Sequence, residues 1–297
     1  MTEQAPTSIT PSAKEAFQRD GYYLQRALFD RATVEEARTW LKNQDQEALA
    51  KSWTEQEPGV PLAVFSVIHT GDHPMARMVK DQRMLEMAGA LMGAPVYVWS
   101  SKVNLKAAWC GTVEYYHQDL VYWKDRGYPR HEMLSCMIFL DPHTIRNAAL
   151  HVIPGTHRIG FIEHMPFINI NGLNKYMVPP ATMDQLHRKH GLVVVEGEPG
   201  DALFFHAGLV HGSSHNISPN PRMVILSQLN TVGNEPSEVL SSARQFNLKR
   251  AELELREAER RHAWFKAKYE DQLKSDQLTF SAPIPEEEQT RPRTGKS

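Results

Sequence analysis

Apolar positions in the first third of the chain recur at helical spacing. Val34, Ala37 and Leu41 share one face of a 3.6-residue period, so the pattern predicts a helix over 31–46 with Asp30 as its N-cap. Upstream, Thr10 and Pro11 read as an N-cap and first helical residue, Phe17 as an inward contact, and Asp20-Gly21 as the stop. A short strand is predicted at 22–24 and a turn or exposed loop at 58–61. Residues 83–92, rich in Met, Leu and Ala, predict a compact helix closed by Gly93 and Pro95.

Beyond Pro95 the period changes to two. Strands are predicted at 96–106, 113–116, 133–140, 192–195, 202–205 and 223–229. Turn signals separate them at Asp141-Pro142, Pro154-Gly155, Glu198-Pro199-Gly200 and Ser218-Pro219-Asn220-Pro221. Many short strands with polar breaks favour a curled antiparallel β structure over a doubly wound sheet, which needs regular intervening helices. The stretch 161–185 lacks a clean period and reads either as a lid or substrate-binding loop or as a surface excursion with no role. Residues 250–274 predict a helix with Ala258, Phe265, Tyr269 and Leu273 on one face and opposite charges three or four positions apart elsewhere. The expected organisation is a disordered lead over 1–10, one domain over 11–280, and a flexible tail over 281–297. Within that domain the β core spans about 96–230 and a terminal helix about 248–274.

Composition then narrows the function classes. Lys and Arg total 33 against 35 Asp and Glu, a formal charge of -2, and no basic block stands out before the tail. That balance offers no electrostatic footprint for nucleic acid. No apolar run reaches the roughly 18 residues of a membrane span, and the N-terminus shows no apolar signal core. Cys110 and Cys136 make neither a disulfide framework nor a CxxC pair, which fits a reducing cytoplasm.

The sharpest chemical signal is Tyr115-Tyr116-His117-Gln118-Asp119. In a strand, positions i and i+2 face one side, so His117 and Asp119 are expected to point inward together while Gln118 points away. An imidazole nitrogen and a carboxylate oxygen suit iron(II), and a second histidine completes a facial triad with open positions. His211 is a candidate, with His206 competing from the same segment. Further on, Arg222 is a lone cation in an apolar strand, and a cosubstrate carboxylate, or a protein carboxylate such as Asp201, would satisfy it. These patterns leave an iron oxygenase beside a zinc or manganese β-barrel enzyme.

At these residues the chain resembles the phytanoyl-CoA dioxygenase superfamily, nearer its ectoine hydroxylase-like branch. The likeness rests on four ordered blocks over about 17–229. Ser101 to Lys106 resembles the strand before the metal motif, and His117-Gln118-Asp119 with Tyr122-Trp123 resembles the HxD segment. Val152-Ile153-Pro154-Gly155-Thr156-His157 resembles the Ile-Pro-Gly-Ser-His turn, with Thr in place of Ser. His211-Gly212-Ser213, followed by Asn216, Ser218 and Arg222, is similar to the distal histidine and cosubstrate arginine. The resemblance selects His211 over His206. It implies a mainly β fold with flanking helices around a double-stranded β-helix (jelly roll, cupin-like) core.

It further implies Fe(II) on His117, Asp119 and His211, with 2-oxoglutarate and O2 as cosubstrates. Arg222 would grip the far carboxylate of 2-oxoglutarate, aided by Ser213, Asn104 and Lys106. The implied reaction hydroxylates a small polar metabolite, a free or cyclic amino acid or natural-product intermediate, releasing succinate and CO2. Retention of Asp119 favours hydroxylation over halogenation. Gln118, Trp123 and Arg146 are the candidate substrate contacts; Trp123 also reads as core and Arg146 as surface. The branch usually carries Trp-His-Ser-Asp where this chain has Tyr116-His117-Gln118-Asp119, which leaves the substrate open. Desaturation or cyclisation, a non-oxidative cupin-like metalloenzyme and a non-enzymatic metabolite-binding protein are the alternatives, in a monomer or homodimer.

Overall fold

The computed structural model describes residues 10–234 apart from 45–54, 58–59, 67, 112, 124–127, 129 and 169–173, and gives the backbone alone for 55–57, 60–66, 168 and 174. All described residues fall in the first of the two units into which the chain divides, Met1–Leu240. The lead before Thr10, part of the turn at 58–61, the helix predicted near 248–274 and the tail lie outside the described residues.

The predicted N-terminal caps form. Thr10 accepts from the backbone N–H of Ala13 and opens α1 (Pro11–Asp20), which Gly21 ends at φ +83°. A Cβ on Gly21 would lie 2.4 Å from Nδ1 of His157, so the position needs glycine for its turn and for this close approach. β1 (Tyr22–Gln25) follows, and Asp30 caps α2 (Arg31–Lys42) through the N–H of Thr33 at 2.8 Å. The pattern gave no sign of α3 (Pro74–Val79): Met75, Ala76, Met78 and Val79 are buried and Arg77 is exposed, but six residues are too short a window for a helical period to show. α4 (Gln82–Met92) ends at Gly93 as predicted.

Two antiparallel sheets follow. The first has seven strands, and the second has four. Across the first run β1, β11 (Ala202–His206), β6 (Met133–Phe139), β13 (Arg222–Thr231), β4 (Val96–Lys106), β3 (Val60–Ser66) and β2 (Glu55–Glu57). The second runs β10 (Val193–Val195), β7 (Leu150–Ile153), β12 (Val210–Ser213) and β5 (Glu114–His117). The stretch 161–185, expected to be irregular, contributes a ribbon of β8 (Met165–Ile168) and β9 (Asn174–Met177) and the start of α5 (Pro180–His190).

Period-two alternation explains the layers. Leu134, Cys136 and Ile138 of β6 join Phe204 and Ile225 under the four N-terminal helices. Met137 and Phe139 of the same strand point the other way, against Leu150, Val152 and Val195 of the smaller sheet. Every residue of β6 is therefore buried, as expected for a strand covered on both faces.

The fold expectation needs correction. The sheets do not close into the double-stranded β-helix or jelly-roll barrel implied by the resemblance. The larger sheet ends at β1 and β2 and the smaller at β10 and β5, and no hydrogen-bonded ladder joins the two among the described residues. Apolar packing, which is non-directional, holds them face to face while their edges stay open. With helices covering the far face of the larger sheet, the architecture is a mixed α/β arrangement of open antiparallel sheets rather than a mainly β barrel.

Asp201 ties the N-terminal segment to this frame. Its buried carboxylate accepts from the N–H groups of Ala27 and Glu198, both at 2.9 Å, and from Nη1 of Arg26 at 2.7 Å. Asp201→Ala leaves two backbone donors without their acceptor and is expected to cost about 2–4 kcal/mol in urea unfolding. A loss below about 0.5 kcal/mol, the level of an ordinary surface change, would contradict this role.

Candidate metal centre

The centre begins with strand pairing. β12 lies between β7 and β5, and His211 stands directly opposite His117. The two rings come to 4.5 Å between centroids. β5 stops at His117, and Asp119 opens a short 3-10 turn over Asp119–Tyr122. The expectation of His117 and Asp119 on one continuous strand is thus half met: they converge because the chain turns between them. Oδ1 of Asp119 lies 3.8 Å from Nε2 of His117 and 3.8 Å from Nε2 of His211.

Hydrogen bonds fix which atoms face the centre. A carbonyl can only accept, so Nδ1–H of His117 donates to Tyr115 O at 2.7 Å and Nδ1–H of His211 to Leu209 O at 2.9 Å. Both Nε2 atoms then carry lone pairs toward Asp119. Burial, with His211 beside it, lowers the pKa of His117 from 6.5 to about 4, so its imidazole is neutral near pH 7. The other carboxylate oxygen of Asp119 accepts from Oγ of Ser135 at 2.7 Å. Two imidazoles and one carboxylate lie with their donor atoms within 4.8 Å of one another, all buried. That donor set fits a divalent metal of the mixed nitrogen–oxygen type, with sites left for other ligands.

Gln118 lies between the ligands and faces away. Its Nε2 donates to Gly160 O at 2.9 Å and Gly208 O at 2.7 Å, and its Oε1 accepts from Ile162 N at 2.8 Å. Its backbone N–H donates to Nε2 of His164 at 3.0 Å. These bonds clamp the metal turn to the segment leading into β8.

Arg222 is 3 % exposed, and burial lowers its pKa to about 10, so it stays charged near neutrality. Its Nη1 donates to Ala148 O at 2.5 Å, while its buried Nε has no partner among the described residues. Asp201, the protein carboxylate considered for it, is engaged by Arg26. In the β13–β4 register Arg222 opposes Lys106 and Val224 opposes Asn104, which puts Arg222, Lys106 and Asn104 on one face. Lys106 donates to Ser214 O at 2.8 Å, and the buried Oδ1 of Asn104 lacks a partner. Ser213 is buried at the end of β12.

The family's sequence profile, described as phytanoyl-CoA dioxygenase (PhyH), matches residues 17–224. The chain belongs to this family. It is similar to an ectoine dioxygenase of Sphingopyxis alaskensis, 32% identical over 244 residues that cover 78% of this chain and 79% of that one. An L-proline trans-4-hydroxylase of Streptomyces griseoviridis is 30% identical over 237 residues, covering 76% of this chain and 88% of its own. The crystal structure of EctD from S. alaskensis with 2-oxoglutarate and 5-hydroxyectoine superposes with a TM-score of 0.66 at 30% identity, covering 77% of this chain and 78% of that one. The enzyme is therefore a 2-oxoglutarate-dependent Fe(II) dioxygenase, with His117, Asp119 and His211 as its iron ligands and O2 as oxidant.

Of the suggested substrate contacts, Trp123 is buried with Leu120, Met133 and Ala207, and Trp99 packs on it at 5.9 Å. Arg146 is exposed. Residues beside the centre that sequence reasoning missed are Ser135, His164 and Tyr176. The ring of Tyr122 meets His117 edge-on at 5.9 Å and Tyr176 of β9 at 5.5 Å, which links the 161–185 stretch to the metal turn. Ser135 had a signal, a hydroxyl inside an otherwise apolar strand, whereas Tyr176 sits in a segment with no readable period.

Two outcomes follow. Ser135→Ala should weaken Fe(II) binding about 10-fold in an anaerobic titration, because Asp119 loses the donor that orients it; unchanged affinity would remove Ser135 from the centre. The unfolded chain binds a proton on His117 near pH 6.5, but the fold resists it until about pH 4. Metal-free protein should therefore lose stability as pH falls through that window, at up to roughly 1.4 kcal/mol per pH unit from this group, and recover it above. Replacing His117 by Asn should flatten that slope in urea titrations.

Proposed function

We propose that this enzyme hydroxylates a small polar metabolite of the amino-acid type, a free or cyclic amino acid or a closely related intermediate. The observation that carries the reading is the buried triad together with a buried arginine whose Nε has no partner among the described residues. Relatives at 30–32% identity named for ectoine and L-proline, both cyclic and both bearing a carboxylate, support this substrate class. The free cysteines Cys110 and Cys136 support a reducing, cytoplasmic setting.

When bound, iron(II) couples the decarboxylation of 2-oxoglutarate to succinate and CO2 with conversion of a substrate C–H to C–OH, two electrons from each reductant balancing the four taken by O2. The chain's own residues supply position. Arg222 offers Nε and its positive charge to the far carboxylate of 2-oxoglutarate, and that charge-assisted bond removes the cost of an unpaired buried donor. Asn104, Lys106 and Ser213 are assigned to orient the same molecule from β4 and β12. Asp119 remains a ligand, held by Ser135, which keeps the outcome at oxygen rather than halide transfer. Tyr122 packs edge-on against His117 and Tyr176 against Tyr122, which fixes the orientation of the His117 ring.

The test is succinate release by anaerobically iron-loaded protein, given O2 and 2-oxoglutarate, against free amino acids, cyclic imino acids and ectoine. Arg222→Ala should weaken 2-oxoglutarate binding in calorimetry by about 10-fold or more, since a charged hydrogen-bond partner is lost. Asp119→Ala should abolish coupled succinate formation. Unchanged 2-oxoglutarate affinity in Arg222→Ala would overturn the cosubstrate assignment, and iron-independent turnover would overturn the reaction.

A further inference from the structure

The metal side of β5 carries a second carboxylate that the iron and 2-oxoglutarate do not use. The β12–β5 register slips between His211↔His117 and Ser213↔Glu114, so three steps on β5 match two on β12. A bulge of this kind breaks simple alternation and turns Glu114 to the same face as His117. The ribbon β8–β9 lies along this strand. Val178 N–H donates to Tyr116 O at 2.7 Å, and Phe167 meets Tyr115 edge-on at 5.1 Å. From β9, Lys175 brings its ammonium to 3.5 Å from Oε1 of Glu114.

This ion pair has an unusual balance. The lysine side chain is only 14 % exposed and the glutamate 38 %, so the ammonium is held inward while the carboxylate keeps an open side. At 3.5 Å the two are in loose contact rather than in a short charge-assisted bond. Burial pushes the Glu114 carboxyl up, but Lys175, His117, Lys106 and Lys102 outweigh it and hold the group ionised. The same carboxylate acts on Arg222. Glu114 thus stands electrostatically between the iron ligands and the proposed cosubstrate cations. A half-open pair contributes little to folding. An acid placed beside a site that must admit a dicarboxylate needs another reason.

We infer that Glu114 and Lys175 form a recognition site for the zwitterionic head of an α-amino or α-imino acid. This deepens the amino-acid reading above and rests on it. Each protein charge exchanges its partner for the ligand's opposite charge: the substrate ammonium meets Glu114 and its carboxylate meets Lys175. The exchange leaves the total charge of the site unchanged and replaces the hydration of both ligand charges at once, which neither residue achieves alone. An amine lacking the carboxylate, or an N-acylated acid lacking the cation, leaves one protein charge opposite a neutral group. Glu114 and Lys175 select and orient the substrate, and they take no part in the bond-making step.

The experiment uses full-length, iron-loaded protein with 2-oxoglutarate, under anaerobic conditions for calorimetry and with O2 for succinate release. Probes are L-proline and the proteinogenic L-amino acids, with pyrrolidine and N-acetyl-L-proline as the counterparts lacking one charge. At least one free amino acid should bind, and its one-charge counterparts should bind between about 10-fold and 100-fold more weakly, the range set by one charged hydrogen bond. Glu114→Gln and Lys175→Met should each raise Kd and KM for that amino acid by the same range, and Lys175→Met should leave 2-oxoglutarate affinity unchanged. Thermal unfolding of both variants separates misfolding from lost recognition, and Glu114→Asp should restore part of the affinity.

Equal binding of the one-charge counterparts overturns the inference, as do variants that bind like the parent. Failure of every free amino acid to bind overturns it too, while 2-oxoglutarate binding sensitive to Arg222→Ala would leave the oxygenase reading standing. Loss of 2-oxoglutarate binding in the parent protein would instead strike the reaction itself.

Discussion

The pairing of His117 with His211 across β5 and β12 is the constraint on which the rest of the molecule depends. Side chains on a strand alternate between faces, so a slip of one residue would turn one ligand out of the interlayer space and bring an unrelated residue in. The structure secures that register from several sides. β7 holds β12 on its other edge with Val152 opposite His211, and Gln118 ties the metal turn to three backbone groups from two segments. The N–H of Leu120 adds a bond to Ala207 O at 3.1 Å. These contacts fix position before any metal arrives, which is what a facial triad needs to keep its remaining sites open.

A polar centre inside an apolar interlayer has a cost, and the layout shows how it is contained. The helix-covered face of the larger sheet is almost wholly hydrophobic and carries the main core, while the opposite face changes character along its strands. Met137 and Phe139 of β6 pack against the smaller sheet, but Ser135, on the same side, reaches Asp119. β13 likewise passes from the buried cation Arg222 to Val224 and Leu226 on one face. The polar centre thus sits at one end of a face whose other positions still pack an apolar core. Among the described residues, Nε of Arg222 and Oδ1 of Asn104 are buried without a partner, polar atoms inside this apolar layer.

Local signals were legible where one short-range force decides the outcome. Thr10, Asp30 and Gly93 act through hydrogen bonds or φ angles within a few residues, and their helices end within a few residues of the pattern's bounds. The turn residues that follow β6 and β10 worked the same way. α3 was missed because six residues, four of them buried around the exposed Arg77, are too few to show a helical period, and β7 and β12 were not marked as strands. The closed barrel was a fold-level expectation that no residue in the chain states directly. Whether two sheet edges meet depends on strand twist and on the segments covering each edge, and here the edges stay apart.

By itself the sequence determined the ligand chemistry: two histidines and an aspartate at telling positions, a cation in an apolar strand, and the motif order that places the chain in its family. Only the tertiary structure decided that Asp119 reaches the centre from a turn, that Ser135 holds it, that Asp201 belongs to Arg26 and not Arg222, and that the ribbon brings Lys175 to Glu114. The reason is range. Caps, turns and alternation are set by neighbours along the chain, whereas these contacts join residues far apart in sequence, and which of several chemically equivalent partners meet is settled by how the layers stack.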